Sequence, residues 1–215
     1  MAQFSYFRTF LSWLSRRKAP DLDTSKPAVS TAPSSTAQKA TAPGDTDEKI
    51  AWGARVPVAF KRKTITIARR LGMDPGQLMA IMAFETGRTF DPAITNRAGS
   101  GATGLIQFMP ATARGLGTTT SRLALMSAIE QLDYVERYLD PYTGRMGDLA
   151  SAYMAVLYPR AVDKEPGYVL FRKGSKAYKL NRGLDVNGNG QVTKAEAAAK
   201  VEALHTEGLR PGLIG

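Results

Sequence analysis

The chain has 215 residues, 43% of them hydrophobic, with a formal charge of +10 and a pI near 9.9. That is enough for one domain with a core plus extra segments, not for two full-sized domains. Cysteine is absent and the one histidine, His205, lies in a polar, Glu-rich helical stretch. Disulfides, thiolate metal sites and cysteine nucleophiles are therefore excluded, and a Ser-His-Asp triad or a histidine-ligated zinc would have to rest on that single side chain.

From the N-terminus, Phe4, Phe7, Leu11 and Leu14 recur at helical spacing beside Tyr6, Phe10 and Trp13, with Arg8, Arg16, Arg17 and Lys18 supplying charge. Residues 1–18 thus read as a short basic amphipathic helix, either a partly ordered tail or a docking peptide for a membrane surface or a partner protein. Its basic residues follow its apolar part, the reverse of a secretory signal, and no apolar run reaches the roughly 20 residues of a membrane span. An enzyme acting outside the cytoplasm would then need another way out. Residues 19–44 are rich in Pro, Ala, Ser and Thr with almost no large apolar side chain, and read as a flexible linker.

From Asp45 onward the signals are helical, and residues 45–215 are expected to form one mainly α domain. Pro57 to Leu71 is amphipathic and stops at Gly72; Asp74 and Pro75 supply a cap and a first helical residue, and Gln77 completes a capping-box pattern. Further helices are expected over Pro110–Leu116, Met126–Leu139, Asp148–Leu157 and Lys194–His205, with a short strand at Tyr168–Phe171. No internal repeat and no sustained strand alternation is present. The charge predicts attraction to polyanions, but the basic residues are scattered and no helix-turn-helix, zinc-finger or RNP signature accompanies them, which argues against nucleic acid.

In the helix that opens at Pro75, Leu78, Ile81 and Met82 lie seven, four and three residues before Glu85, so this carboxyl falls on the face that should be buried. Gly87 should end the helix just beyond it. Apolar neighbours and the negative end of the helix dipole both disfavour ionisation there, and an acid kept protonated near neutral pH can give its proton to a glycosidic oxygen. The plainer alternative is a Glu rotated outward at a helix end. Downstream, Gly99–Gly104 is a small-residue loop whose backbone can approach a ligand closely, and Leu105–Pro110 leads into the next helix with Gln107 as its one hydrogen-bonding side chain.

Taken together, AFETGRTFDP and GATGLIQFMPATA resemble the transglycosylase family that includes soluble lytic transglycosylases and goose-type lysozyme. The resemblance spans about Pro57 to Tyr158 and implies a lysozyme-like helical domain with Glu85 as the single catalytic acid/base. It also implies that Gln107, in GLIQ, contacts substrate, as do Tyr153, in SAYMAVLYP, and the loop around Asn96 and Gly104. The sequence departs from the family pattern at Thr86, where serine is usual, at Asn96, roughly where a serine often sits, and at Met154, where asparagine follows the tyrosine.

Glycosidases ordinarily use two carboxylates, and Asp91 is the nearest second one, although a residue before Pro92 suits a turn or cap. Without a second acid the resemblance implies a lytic transglycosylase: Glu85 protonates the bond between N-acetylmuramic acid and N-acetylglucosamine, the muramic acetamide stabilises the cation, and the sugar's own 6-hydroxyl closes a 1,6-anhydro product. With Asp91 or another acid holding a water, the same site would be a hydrolytic muramidase.

Finally, Asp185, Asn187, Asn189 and Thr193 fall on the first, third, fifth and ninth positions of an EF-hand calcium loop, with Gly188 at the sixth and Glu196 at the twelfth. Gln191 would add its backbone carbonyl. The expectation is a weak, structural Ca²⁺ site near the C-terminus; the alternative, a Thr193/Glu196 capping box, leaves the Asp-Asn-Asn-Gly spacing without a reason. A calcium-binding adaptor on an inactive helical scaffold is the main rival function. The cationic charge, basic helix and linker suit a phage lysin or a virion-borne wall-opening enzyme, with a toxin delivered by a specialised system as the next choice.

Overall fold

The computed structural model describes residues 48–96 and 99–215; the basic helix expected over 1–18 and the linker over 19–44 lie outside them. Besides four single-turn 3-10 helices, the described regular structure has eight α-helices and a two-stranded sheet: α1 (Val58–Leu71), α2 (Pro75–Glu85), α3 (Pro110–Gly115), α4 (Thr120–Ala124), α5 (Ala128–Leu139), α6 (Leu149–Leu157), β1 (Val169–Arg172), α7 (Lys176–Asn181), β2 (Gln191–Thr193) and α8 (Lys194–Gly208). β1 and β2 are antiparallel, with Phe171 opposite Val192.

The centre of the domain is α2. Leu78, Met79, Ala80, Ile81, Met82 and Ala83 are all buried, so this helix is apolar on every side, as a helix wrapped by others must be. It packs against α1, α6 and α8. Asp74 Oδ1 accepts the Gln77 N–H at 2.9 Å, but the capping box expected there is only half made: Gln77 Oε1 is buried without a partner. Around this core, α1 turns Phe60, Ile65, Ile67, Ala68 and Leu71 inward and stops at Gly72, whose φ of 69° is the left-handed conformation glycine tolerates best.

Three differences from the sequence reading have local causes. The helix expected from Met126 starts at Ala128, because Ser127 and Glu130 form a reciprocal capping box that fixes the first turn. The last helix runs on to Gly208, where a Cβ would collide with the Trp52 indole; the Trp52 N–H bonds to Gly208 O at 3.0 Å and its indole Nε1 donates to Leu204 O at 2.9 Å. Two short helices, α4 and α7, were not anticipated; they are capped by Thr119 and Ser175 and are too short to show a period.

Candidate active site

Glu85 is the last residue of α2 and is 2% exposed. The outward-rotated alternative is thereby ruled out, and the physical reason is the sharp reversal that follows. Thr86 Oγ1 donates to Met82 O at 2.7 Å and accepts the Phe90 N–H at 3.0 Å. Gly87, Arg88 and Phe90 all have φ between 54° and 72°. Phe90 is folded back between Trp52 and Phe60, with ring centroids 6.4 and 6.2 Å away. Two non-glycine residues in the left-handed region are a local strain held by that aromatic packing.

Glu85 Oε1 is buried and has no hydrogen-bond partner. Burial alone pushes its carboxyl from 4.5 up to about 8, because a charged carboxylate there would lose its water without gaining a counter-charge. Glu85 therefore carries its proton at neutral pH. It is also the one Asp or Glu that is fully buried among the described residues. Asp91 is exposed, and its Oδ1 accepts the Ala93 N–H at 2.8 Å, the turn-capping role its position before Pro92 suggested.

Two tyrosines share the surroundings of this acid. Tyr153, on α6, is fully buried; its ring meets Phe84 edge-on at 5.6 Å, and its hydroxyl has no partner. Tyr138, on α5, donates to Ala155 O at 3.0 Å. Burial pushes both hydroxyls well above their usual value and the Glu85 carboxyl adds to it. Three helices thus converge on the acid, of which sequence reasoning had two; Tyr138 was missed because it sits on the half-buried side of α5.

Between Ile94 and Phe108, two isolated bridges tie the described residues together. Thr103 pairs with both Thr95 and Phe108, and the Gly104 N–H reaches Ile94 O at 2.9 Å. Gln107, buried and at φ 52°, donates from Nε2 to Gly104 O at 3.1 Å and Ile94 O at 3.3 Å. Its amide group thus holds the loop's own backbone. Asn96 is half-buried, its N–H bonded to Ala102 O at 2.8 Å. Gly104, at φ 85°, lies where a Cβ would run into the Gln131 carboxamide. Gln131, fully buried on α5, accepts the Leu105 N–H at 2.6 Å and donates to Pro92 O and Leu123 O at 3.0 Å each. Gln131 was absent from the sequence reading. Its signal was there: it stands four and eight residues before Val135 and Leu139, on the apolar stripe of α5.

The segment Asp185–Glu196 closes on itself. Asp185 Oδ2 accepts from the Tyr178 hydroxyl at 2.6 Å and the Gly190 N–H at 2.9 Å. Asn187 Oδ1 accepts the Asn189 N–H, and Asn189 Oδ1 the Gln191 N–H. The capping box is also formed, Glu196 Oε2 accepting from Thr193 N and Oγ1 at 2.9 and 2.8 Å. Each acid nevertheless keeps one oxygen, Asp185 Oδ1 and Glu196 Oε1, that is shielded from solvent and has no partner. Among the described residues no group of three or more His, Cys, Asp or Glu side chains is gathered at one point; this loop offers two carboxylates with amide and carbonyl oxygens instead, a donor set suited to a hard cation.

A mainly helical domain that buries one protonated carboxyl group at a helix end, beside two tyrosines, has the parts of an acid catalyst of glycosidic bond cleavage. Residues 63–159 match the family model described as the transglycosylase SLT domain, close to the span read from the sequence. The match supports a lysozyme-like, peptidoglycan-degrading enzyme of the lytic transglycosylase type, whose substrate lies in the cell wall. No curated protein and no solved structure matches the chain. No helix among the described residues is long and apolar enough to cross a membrane.

Proposed function

We propose that the protein is a lytic transglycosylase that cleaves the bond between N-acetylmuramic acid and N-acetylglucosamine and leaves a 1,6-anhydro end, with Glu85 as its one acid and base. The observation that carries this reading is a buried, protonated carboxyl group whose elevation owes nothing to a second acid. In the forward step the Glu85 proton goes to the glycosidic oxygen, the C1–O bond breaks, and the muramic acetamide oxygen bonds C1. Glu85, now a carboxylate, takes the proton of the 6-hydroxyl; that oxygen displaces the acetamide at C1 and the acid is restored. Gln107, Tyr153 and the backbone around Asn96 and Gly104 are assigned to substrate contact.

A hydrolytic muramidase would need an acid to hold a water opposite Glu85, and the exposed, turn-bound Asp91 is poorly suited to it. A non-catalytic adaptor has no use for a carboxyl held at about 8. The charge of +10 favours an enzyme that must find an acidic envelope, as a phage lysin or a virion-borne wall-opening enzyme does. The test is digestion of purified peptidoglycan by the wild type and by Glu85→Gln, with mass analysis of the released muropeptides. Products lighter by one water than hydrolytic ones, and absent with the variant, are expected. Reducing muramic ends would mean a muramidase, and no soluble product from folded protein would end the enzymatic reading.

A further inference from the structure

We propose that the loop Asp185–Glu196 binds one Ca²⁺ and that Lys194 transmits its occupancy to α6, the helix that carries Tyr153. The site rests on two observations of different kinds. One is the sequence: oxygen donors on the first, third, fifth, ninth and twelfth positions of a twelve-residue loop, with Gly188 at the sixth at φ 71°. The other is the pair of orphan oxygens, Asp185 Oδ1 and Glu196 Oε1, one at each end of the loop. Buried carboxylate oxygens without a partner are costly and rare. Both oxygens that do have partners already hold the loop in shape, so the two left over are those free to take a cation. Tyr178, which donates to Asp185 Oδ2 at 2.6 Å, sits at the edge of this site.

Lys194 supplies the link. It is the tenth residue of the loop and the first of α8, yet it is only 3% exposed. Its ammonium group donates to Ser151 Oγ at 2.9 Å and to Val162 O and Lys164 O at 2.8 Å each, which uses all three of its protons. Ser151 Oγ in turn donates to Asp148 Oδ2 at 2.7 Å, and Asp148 Oδ1 caps the Ser151 N–H. Burial works against the Asp148 charge, but the Ser151 bonds and the Lys194 charge outweigh it and hold the carboxyl below its usual range. A lysine at the start of a helix is opposed by the dipole of α6, and Asp148 offsets that. The backbone of residue 194 is thus fixed between Thr193 and Glu196 on the loop side, while its side chain is anchored at the first turn of α6, two residues before Tyr153. A cation that tightens the loop restrains that first turn through Lys194.

Terbium is the probe for the site, because Tyr178 stands close enough to sensitise its emission. Full-length protein should give saturable emission on excitation of tyrosine, displaced by Ca²⁺. It should also show a Tm raised by about 3–10 °C at about 10 mM Ca²⁺, for a site of about 0.1–1 mM affinity. Tyr178→Phe should lose the emission and keep the Tm rise; Glu196→Gln should lose both. For the link, hydrogen exchange of amides 149–157 should slow in Ca²⁺ relative to chelator in the wild type. In Lys194→Met it should not change, although terbium still binds. Ser151→Ala removes one of the three acceptors and serves in place of Lys194→Met if that variant does not fold. Absence of both saturable emission and a Tm rise would overturn the site. Binding with unchanged α6 exchange in the wild type would overturn the link. Neither readout depends on turnover, so the outcome is separate from that of the transglycosylase reading.

Discussion

Replacing Glu85 with Gln should make the protein more stable at alkaline pH and inactive at every pH, and the size of the first effect follows from the structure. A free carboxyl near 4.5 and a native one near 8 mean that, between those values, the folded protein holds a proton that the unfolded chain has released. Stability then falls as pH rises through that window and levels off above about 8; below 4.5 both states are protonated and the effect vanishes. Each pH step of one inside the window costs about 1.4 kcal/mol, so moving from pH 5 to pH 8 should remove about 3 kcal/mol from the wild type that Glu85→Gln retains. Other titrating groups are common to both proteins and cancel in the difference. Urea unfolding at pH 5, 6.5 and 8, followed through the buried Trp52, reads this difference directly. Curves that stay parallel across the range would show that Glu85 is ionised in the folded protein, and the acid role would fall with it.

Turnover of peptidoglycan should be lost as pH rises through about 8, since Glu85 must start protonated; a limb near 5 instead would place the proton donor elsewhere. Tyr153→Phe removes a buried hydroxyl that has no partner, so folding stability should hold or rise by about 1 kcal/mol while turnover drops. A variant that loses both would mark the hydroxyl as structural. Gly104→Ala forces a Cβ onto the Gln131 carboxamide at a φ of 85° and should cost about 2–4 kcal/mol in chemical denaturation. Gln131→Ala leaves the Leu105 N–H and the Pro92 and Leu123 carbonyls without their side-chain partner, a loss of about 3 kcal/mol that should raise KM through the Gln107 loop.

How much of this was legible beforehand depends on whether a residue acts through its own element or through another. Glu85 could be read because the face it falls on is set within α2: a cap at Asp74, proline at the first position and apolar residues at helical spacing. The Thr193/Glu196 capping box was equally local. What could not be read is contact between elements. The Thr86–Phe90 reversal depends on Trp52 and Phe60 receiving Phe90, and nothing in residues 86–90 announces those partners. The burial of Lys194 has no local signal, because the three acceptors that surround it come from residues 30 to 43 positions earlier. Gln107 stood out as the one hydrogen-bonding side chain of its segment, but nothing local announced that its amide donates to the loop's own carbonyls. The substrate contact proposed for it would run together with this role in shaping the loop.

The buried polar atoms left without partners connect these points. Eight side-chain atoms among the described residues are in that condition. Four of them, on Thr64, Gln77, Thr118 and Asn181, have no explanation in the structure. The other four are Glu85 Oε1, Tyr153 Oη, Asp185 Oδ1 and Glu196 Oε1, which fall on residues picked out independently from the sequence. An orphan polar group destabilises a fold by roughly 1–3 kcal/mol. A chain with so many good hydrogen-bond solutions elsewhere, such as the fully satisfied Gln131 and Lys194, could have been relieved of them by small substitutions. Their retention is explained if each is completed by something from outside the chain. Under the two proposals above, a sugar would complete the acid and the tyrosine, and a cation the two carboxylates. On this argument the two sites differ in what should relieve the strain. Added Ca²⁺ should stabilise the protein through the loop without moving the Glu85 titration. A glycan should slow hydrogen exchange in the helices that carry Glu85 and Tyr153 whether or not the loop is filled.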